Sequence, residues 1–256
     1  MKNIIVVGGS SGIGLALVQL LGKENVINIS RTPCPVAGVT NITADVTDAG
    51  AIKRAFSKIQ NADVLVYCAG TSLAAPVECV ADSDVKNLTD VNLVGAILCC
   101  KHAMPLLNKS ENGRIIILSS TGGIVPIPFD SFYSASKSAL ITLCEGLRLE
   151  NIKVKSTAAI IDGTRTQFSF KRKIYTDCGD YDQNLKRASD KLIKREQTGY
   201  TADFVARKLA DIIYASDPPP RVVIGAKNKL AVGLYSVLPK KFRLRLVRKI
   251  FDIDKE

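Results

Sequence analysis

Apolar and polar residues alternate between two patterns along the chain. Short runs rich in β-branched residues predict strands, and longer stretches with a repeat of three to four residues predict helices. The predicted strands are Ile4–Val7, Val26–Ser30, Val39–Thr43, Val64–Tyr67, Ile115–Leu118, Val154–Ile161 and Val222–Ile224, and the predicted helices are Ile13–Leu21, Ala51–Ile59, Val85–Leu107, Ser131–Glu150 and Ala202–Ala215. Almost wholly apolar strands separated by helices form parallel sheets that are buried on both faces. We therefore expect an α/β fold: a single doubly wound domain over residues 1–256, with a parallel sheet of about seven strands and helices on both faces.

Two segments do not fit this alternation. Residues 164–199 follow the sixth strand and are polar and basic, with weak periodicity. Because ligands bind beyond the carboxyl ends of the strands in an open α/β sheet, this segment is predicted to form a lid over the site. The second segment is a basic amphipathic tail, residues 226–256, in which Leu238–Ile253 has helical spacing. Its predicted apolar side consists of Phe242, Leu246, Ile250 and Ile253, joined by Leu244, Val247 and Phe251, and its opposite side consists of Lys241, Arg245, Arg248 and Lys249, while Arg243 interrupts the apolar arc.

The chain is strongly basic, with a formal net charge of +11. Eight basic residues and no acidic residue lie between Lys227 and Lys249. One interpretation is a tail helix that packs on its own domain or on a sister subunit. Another is an interfacial helix that contacts an anionic membrane, which fits a lipid-like or anionic substrate. No nucleic-acid binding is expected, because the chain has no aromatic stacking platform and no known motif.

Other features argue against whole classes of protein. No apolar run approaches the roughly 20 residues of a membrane span, and the N-terminus does not have the pattern of a signal peptide. We therefore expect a cytoplasmic protein with, at most, peripheral membrane association. The seven cysteines are scattered, which is typical of reduced, buried thiols. A single histidine, His102, is too few for a metal site or a Ser-His dyad, so no metal is expected.

The first strand ends in the glycine-rich turn Gly8–Gly14, which leads into the first helix. Glycines let the backbone approach a pyrophosphate at the helix N-terminus, so the turn predicts dinucleotide binding in a Rossmann-type domain. The second strand ends without an acidic residue and is followed by Arg31. An acid at this position accepts from a ribose 2′-hydroxyl, whereas an arginine fork binds a 2′-phosphate, so NADP(H) is favoured over NAD(H). Asp45 is predicted either to accept from the adenine amino group or to cap a helix.

Tyr133 and Lys137 lie four residues apart on a predicted helix, so both project from one face of it. Ser120 ends the fifth strand, at the edge of the sheet where the crevice is expected. With the Gly8–Gly14 turn, Asp45-Val46, Ala69-Gly70, Asn92 and Tyr133-Ser134-Ala135-Ser136-Lys137 in this order, the chain resembles the compact, non-extended branch of the short-chain dehydrogenase/reductase family over nearly its whole length. The resemblance implies that Asn92, Ser120, Tyr133 and Lys137 form the catalytic tetrad. It also implies a cofactor site made of Gly8, Ser10, Ser11, Gly12, Ile13, Gly14, Arg31, Asp45, Val46, Ala69, Gly70, Tyr133, Lys137, Gly163 and Thr164.

The chemistry of these side chains suits an oxidoreductase that transfers a hydride between NADPH and a carbonyl or secondary alcohol substrate. A phenol has a pKa of about 10, and the nearby ammonium of Lys137 favours its ionised form, so Tyr133 is predicted to be the catalytic acid/base. Ser120 is expected to hydrogen-bond the carbonyl oxygen as charge develops on it. Asn92 is expected to hold a water that links Lys137 to solvent.

The sequence departs from the family pattern in two places. Tyr67-Cys68-Ala69-Gly70 stands where the family commonly has Asn-Asn-Ala-Gly, and Ile160-Ile161-Asp162-Gly163-Thr164 lacks the family's Pro-Gly. Neither change removes a reacting group, but both alter contacts expected with the cofactor.

Alternatives remain open from the sequence. One alternative is a catalytically silent NADP-binding regulator, since a fold does not establish chemistry. Another is a membrane-surface scaffold that acts through its tail. A narrower form of the main hypothesis is a membrane-associated reductase of lipid ketones. The resemblance further implies a homodimer or homotetramer.

Overall fold

Seven parallel strands form the central sheet, which confirms the predicted fold class. The computed structural model describes residues 1–253. The strands are β1 (Asn3–Val7), β2 (Asn25–Ser30), β3 (Thr40–Thr43), β4 (Val64–Tyr67), β5 (Arg114–Ser120), β6 (Lys155–Ile161) and β7 (Arg221–Val223), and their order across the sheet is β7-β6-β5-β4-β1-β2-β3. Every neighbouring pair is parallel. The order reverses between β1 and β4, so the carboxyl ends of these strands flank the crevice where such sheets bind ligands.

Helices cover both faces of this sheet. The helices of the described residues are α1 (Gly12–Leu20), α2 (Ala49–Ser57), α3 (Asp82–Thr89), α4 (Gly95–Leu107), α5 (Ser131–Glu150), α6 (Asp182–Gln197), α7 (Ala202–Tyr214), α8 (Ala226–Val237) and α9 (Lys240–Phe251). Side chains alternate between the faces of a strand, and β1 accordingly directs Ile5 and Val7 into the core under α2, α4 and α5. Ile4 and Val6 lie in the opposite core, under α1 and α7.

One long helix crosses the first of these layers. A π-helical segment, Asp90–Val94, joins α3 to α4, so the predicted helix Val85–Leu107 is continuous over Asp82–Leu107. In the described part of the chain it is the only helix long and apolar enough to cross a membrane by length and composition. Its apolar residues pack against the sheet, with Ala96, Cys99, Ala103 and Leu107 wholly buried. A place in the core therefore accounts for its composition.

The segment predicted as a lid is ordered by short strand pairs and a helix. Thr164–Arg165 pairs with Tyr200–Thr201, and Lys173–Ile174 pairs with Leu73–Ala74. Between them lies α6, which the sequence pattern did not predict. Its buried residues include Leu185, Ala188 and Leu192, and these are so interspersed with charged residues that helical periodicity is weak.

The tail forms two helices, α8 and α9, rather than one. Pro239 separates them and is the N-cap residue of α9. Only part of the predicted apolar side of α9 is buried: Val247 and Phe251 pack against α6, whereas Phe242 and Ile250 are exposed. Two apolar stripes exist on this helix, and the position of α6 decides which one is covered. Residues 254–256 of the predicted tail lie outside the described residues.

Candidate active site

A cavity of about 630 Å³ opens at the carboxyl ends of the strands. Every residue predicted to bind the cofactor lines it, as does Ser120. Asn92 is the one predicted site residue that is not part of the lining. The fold therefore brings together, on the wall of one cavity, the glycine-rich turn near the N-terminus and the segment around Tyr133 in the middle of the sequence.

The glycine-rich turn requires glycine at several positions. Gly8 and Gly12 have φ values of +85° and +55°, a region that other residues seldom adopt. A Cβ on Gly14 would lie 2.2 Å from the carbonyl oxygen of Gly8, so only glycine lets the start of α1 approach β1 this closely. Ser11 makes no side-chain capping bond to α1. The turn thus leaves the N-terminus of α1 to interact with an anion in the cavity.

Arg31 and Asp45 face each other at the edge of the cavity, beyond β2 and β3. The guanidinium of Arg31 lies 4.0 Å from the carboxylate of Asp45, and both side chains are substantially exposed. Asp45 accepts from the backbone N–H of Thr47 at 3.0 Å and from its hydroxyl at 2.9 Å, and these bonds lower the pKa of the carboxyl. Asp48, not Asp45, caps α2 through the N–H of Ala51. The helix-cap interpretation of Asp45 is therefore wrong.

Tyr133 lies in the first turn of α5 and is buried at the wall of the cavity. Burial raises the pKa of its phenol, while a hydrogen bond with Ser120 and the positive charge of Arg172 oppose that increase. Ser120 also accepts from the N–H of Gly122 at 3.0 Å, which orients its hydroxyl. Phe168 packs against the Tyr133 ring with centroids 6.1 Å apart. The phenol is consequently neutral at ordinary pH.

Lys137 lies one turn further along α5 and is buried. Its ammonium is 5.5 Å from the centre of the Tyr133 ring and donates to the carbonyl of Leu118 at 3.0 Å. Burial lowers the pKa of Lys137 to about 8, although Cys68 opposes that decrease. Burial of the Tyr133 phenol has the largest effect on its pKa in this structure.

Asn92 lies in the π-helical segment and is completely buried. Its side-chain amide accepts from the N–H of Thr71 at 2.8 Å and donates to the carbonyl of Thr71 at 2.9 Å and to Ser136 at 3.0 Å. A Cβ on Gly70 would come within 3.5 Å of the Asn92 oxygen and 3.6 Å of the Lys137 ammonium. Asn92 therefore holds the loop after β4 against α5, immediately beside Lys137.

A buried polar cluster that the sequence did not predict lies next to Tyr133. Arg172, from the lid segment, donates to Glu196 at 3.1 and 2.6 Å and through its Nε to Ser72 at 3.0 Å. Ser72 donates to both oxygens of Asp130 at 3.1 Å. Burial raises the pKa of Asp130 to about 7, although Arg172 and Ser72 oppose that increase. Within the basic run Lys171–Lys173, nothing in the sequence distinguishes the arginine that turns inward.

The sequence profile described as short chain dehydrogenase matches residues 2–172. The chain belongs to the short-chain dehydrogenase family. A similar relative is a 3-ketodihydrosphingosine reductase of Bacteroides thetaiotaomicron, which is 30% identical over 87% of this chain and 87% of its own length. The members of this family are oxidoreductases, and their fold binds nicotinamide cofactors.

Solved members of the family share this fold. A short chain dehydrogenase/reductase from Burkholderia phymatum in complex with NAD has a TM-score of 0.80 at 17% identity, and covers 95% of both chains. A short chain dehydrogenase from Burkholderia cenocepacia in complex with NADP has a TM-score of 0.77 at 19% identity, and covers 96% of this chain and 97% of its own. The fold therefore accommodates either dinucleotide.

The two departures from the family pattern have visible local effects. Cys68 is placed beside Lys137 by the end of β4, and burial raises the pKa of its thiol to about 12, so it is a neutral neighbour. Asp162 is ion-paired with Arg195 of α6, and Gly163 accepts from the N–H of Tyr200 at 2.8 Å. The sequence Asp162-Gly163 thus ties the end of β6 to the C-terminal end of the lid segment rather than forming a free loop.

Proposed function

We propose that this chain is an NADP-dependent oxidoreductase that transfers a hydride between NADPH and a carbonyl or secondary alcohol substrate. One observation carries the proposal: the buried Tyr133 phenol and the Ser120 hydroxyl line the same cavity as the glycine-rich turn. A proton donor and a dinucleotide-binding turn in one cavity are what carbonyl reduction requires.

The residues of the cavity fit a phosphorylated dinucleotide. The positive-φ glycines and the uncapped start of α1 suit a pyrophosphate, and Arg31 beyond β2 suits the additional 2′-phosphate of NADP. Asp45 is close enough to Arg31 to orient its guanidinium. When bound, NADPH supplies the hydride, and the protein's own groups manage the proton.

The neutral state of Tyr133 suits reduction of a carbonyl. Because burial raises the pKa of the phenol, its proton is present before reaction and can pass to the oxygen of the substrate. Ser120 lines the same cavity and is placed to donate to that same oxygen. Lys137 is positioned behind the phenol to stabilise the phenolate that remains, and Asn92 fixes the loop that packs against Lys137.

The substrate we propose is an apolar, lipid-like ketone. Ile127, Phe168 and Leu192 line the cavity together with the polar residues described above, and such side chains favour an apolar chain. The similarity to a 3-ketodihydrosphingosine reductase supports the same class. The family relationship also suggests a homodimer or homotetramer, which the mass of the purified protein in solution will test, and the cytoplasmic location stays a prediction from the sequence.

The experiment follows NADPH oxidation with keto-sphingoids, acyl thioesters, steroids and simple diketones. Tyr133→Phe is expected to lower turnover by about 100- to 10,000-fold, which is the usual contribution of a positioned acid, and to leave NADPH binding intact. Tyr214→Phe is the matched control, because this tyrosine is exposed and bonded to Glu24 on another part of the surface. Equal turnover by parent and Tyr133→Phe would contradict the role of Tyr133, and no turnover by either protein with NADPH binding intact would instead favour a catalytically silent NADP-binding regulator.

A further inference from the structure

The two C-terminal helices expose an unusual amount of apolar surface. Large apolar side chains on α8 and α9 are between 41% and 78% exposed: Leu230, Leu234, Val237, Phe242, Leu244, Leu246 and Ile250. Monomeric soluble proteins seldom expose contiguous apolar patches of this kind unless they bind something there. We call this pair of helices, Ala226–Phe251, the C-terminal hairpin.

Basic residues border the apolar face of the hairpin. On α9, Phe242, Leu246 and Ile250 follow one another at intervals of four residues, so they form a stripe along the helix. The prediction that Arg245 and Lys249 lie opposite this stripe is wrong: residues three apart are neighbours on a helix, so both lie along one edge of the stripe, and both are exposed. An apolar stripe next to a row of cations is the composition of helices that lie in the interface of an anionic membrane.

A second copy of the chain is a poorer partner for this face. Between Lys227 and Lys249 there are eight basic residues and no acidic one. A symmetric dimer pairs a patch with itself, so it would bring sixteen like charges together, twice the eight on each copy. An anionic lipid surface has the complementary charge and accepts the apolar side chains at the same time.

One arginine fastens the corner between the two helices of the hairpin. Arg243 turns back from α9 and donates to the carbonyls of Ser236 and Leu238 at the end of α8. Its guanidinium also lies 5.1 Å from the ring centre of Tyr235. The arginine that interrupts the apolar pattern in the sequence therefore fastens the corner between the helices.

The opposite side of the hairpin is anchored to the wall of the cavity. Val247 and Phe251 pack against Leu192 of α6 and against Ile127, and these last two residues also line the cavity. Lys191 donates to the carbonyl of Ile250 at 2.8 Å and pairs with Asp252 at 2.6 Å. A single layer of side chains thus separates α9 from the cavity that we assign to the substrate.

We propose that the C-terminal hairpin docks the protein on an anionic lipid surface, with the apolar side chains of α8 and α9 in the headgroup region and the surrounding cations against lipid phosphates. Docking in this orientation holds the wall of the cavity at the membrane, where a lipid ketone resides. The binding step goes beyond the proposed chemistry and is measurable without turnover, so its failure is distinguishable from failure of the reductase proposal.

Co-sedimentation with vesicles tests the proposal. The full chain is expected to bind phosphatidylcholine vesicles containing about one third phosphatidylglycerol and to bind pure phosphatidylcholine weakly. Each cation near such a surface is worth about fivefold in affinity, so Lys241→Gln/Lys249→Gln is expected to lower binding about 30-fold. Salt at about 1 M, where the screening length falls to about 3 Å, is expected to release the parent protein.

Matched variants separate docking from general charge effects. Lys109→Gln/Lys153→Gln removes the same charge from two exposed lysines that precede β5 and β6, at the amino ends of the strands and away from the cavity. This pair is expected to bind as the parent does. Phe242→Ser/Leu246→Ser is expected to lower vesicle binding while the mass in solution stays that of the parent.

Three results would overturn the proposal. They are equal binding to neutral and anionic vesicles, an equal loss in the Lys109/Lys153 pair, and a fall in solution mass for the Phe242/Leu246 pair. The last would assign the face to a second copy of the chain. Unchanged thermal unfolding of each variant confirms that the hairpin is still folded.

Discussion

The guanidinium of Arg172 is held by the carboxylate of Glu196 through two hydrogen bonds, of 3.1 and 2.6 Å, and both side chains are buried. Arg172 directly precedes the short strand Lys173–Ile174, in the first part of the lid segment, and Glu196 lies near the end of α6. The ion pair therefore joins the first and last parts of that segment. Through Ser72, the same arginine reaches the residue that precedes α5 and Tyr133. The ion pair thus connects the lid segment to the catalytic helix.

Breaking this pair is expected to destabilise the protein. Arg172→Met leaves the Glu196 and Asp130 carboxyl groups buried without their cation, and removal of one partner from a buried pair typically costs about 3–5 kcal/mol. The free energy of unfolding, followed by circular dichroism in urea, measures the loss. Lys173→Gln is the matched control, since the adjacent lysine is paired with Asp84 at the exposed surface. A loss from Lys173→Gln as large as that from Arg172→Met would contradict the prediction.

Asp130 makes stability depend on pH in the opposite direction from most carboxyl groups. Burial raises its pKa to about 7, from an ordinary value of 3.8. At a pH between these two values, the folded protein keeps a proton on Asp130 that the unfolded chain has released. Its contribution to stability is therefore fully present below about pH 4 and is lost as pH rises through about 7.

Asp130→Asn is expected to remove that pH dependence. The amide oxygen still accepts from Ser72, and no charge is buried at high pH. The difference in melting temperature between variant and parent should then favour the variant increasingly from pH 4 to pH 8, a range set by the pKa of about 7. A difference that stays constant over this range would show that Asp130 ionises normally.

Local patterns in the sequence were sufficient for the sheet and for the reacting groups. Tyr133 and Lys137 share a helix face at a spacing of four, and Ser120 ends a strand, so local geometry alone brings these side chains towards one edge of the sheet. Burial of Arg172, in contrast, depends on Glu196 and Asp130, which lie 24 residues after it and 42 residues before it. Contacts at such separations leave no periodic signal. On α9 the apolar pattern permitted two buried stripes, and only the position of α6 selected Val247 and Phe251.

Alanine substitutions of Gly14, in the glycine-rich turn, and of Gly233, in α8, are expected to change stability in opposite directions. Gly14→Ala places a Cβ 2.2 Å from the carbonyl oxygen of Gly8, so α1 must shift away from β1 and both stability and dinucleotide affinity should fall. Gly233→Ala lies within α8 and meets nothing within 4 Å. Replacing glycine by alanine at such an open helical position typically stabilises by about 0.5–1 kcal/mol. Thermal unfolding with and without NADPH measures both effects, and destabilisation by Gly233→Ala would show that α8 is not helical in solution.

Arg31 is expected to discriminate between the two dinucleotides. Its guanidinium is exposed and only loosely paired with Asp45, at 4.0 Å, so it is available to a 2′-phosphate. Hydrogen bonds to a charged group contribute about 1.5–3 kcal/mol, and Arg31→Gln should therefore weaken NADPH binding by roughly 10- to 150-fold while changing NADH binding little. Fluorescence titration of both cofactors measures the ratio. Arg54→Gln, which removes an exposed arginine paired with Asp48 on α2, is the matched control. Equal weakening of NADPH and NADH by Arg31→Gln would place the 2′-phosphate elsewhere, because a residue that binds that phosphate has no contact to lose with NADH.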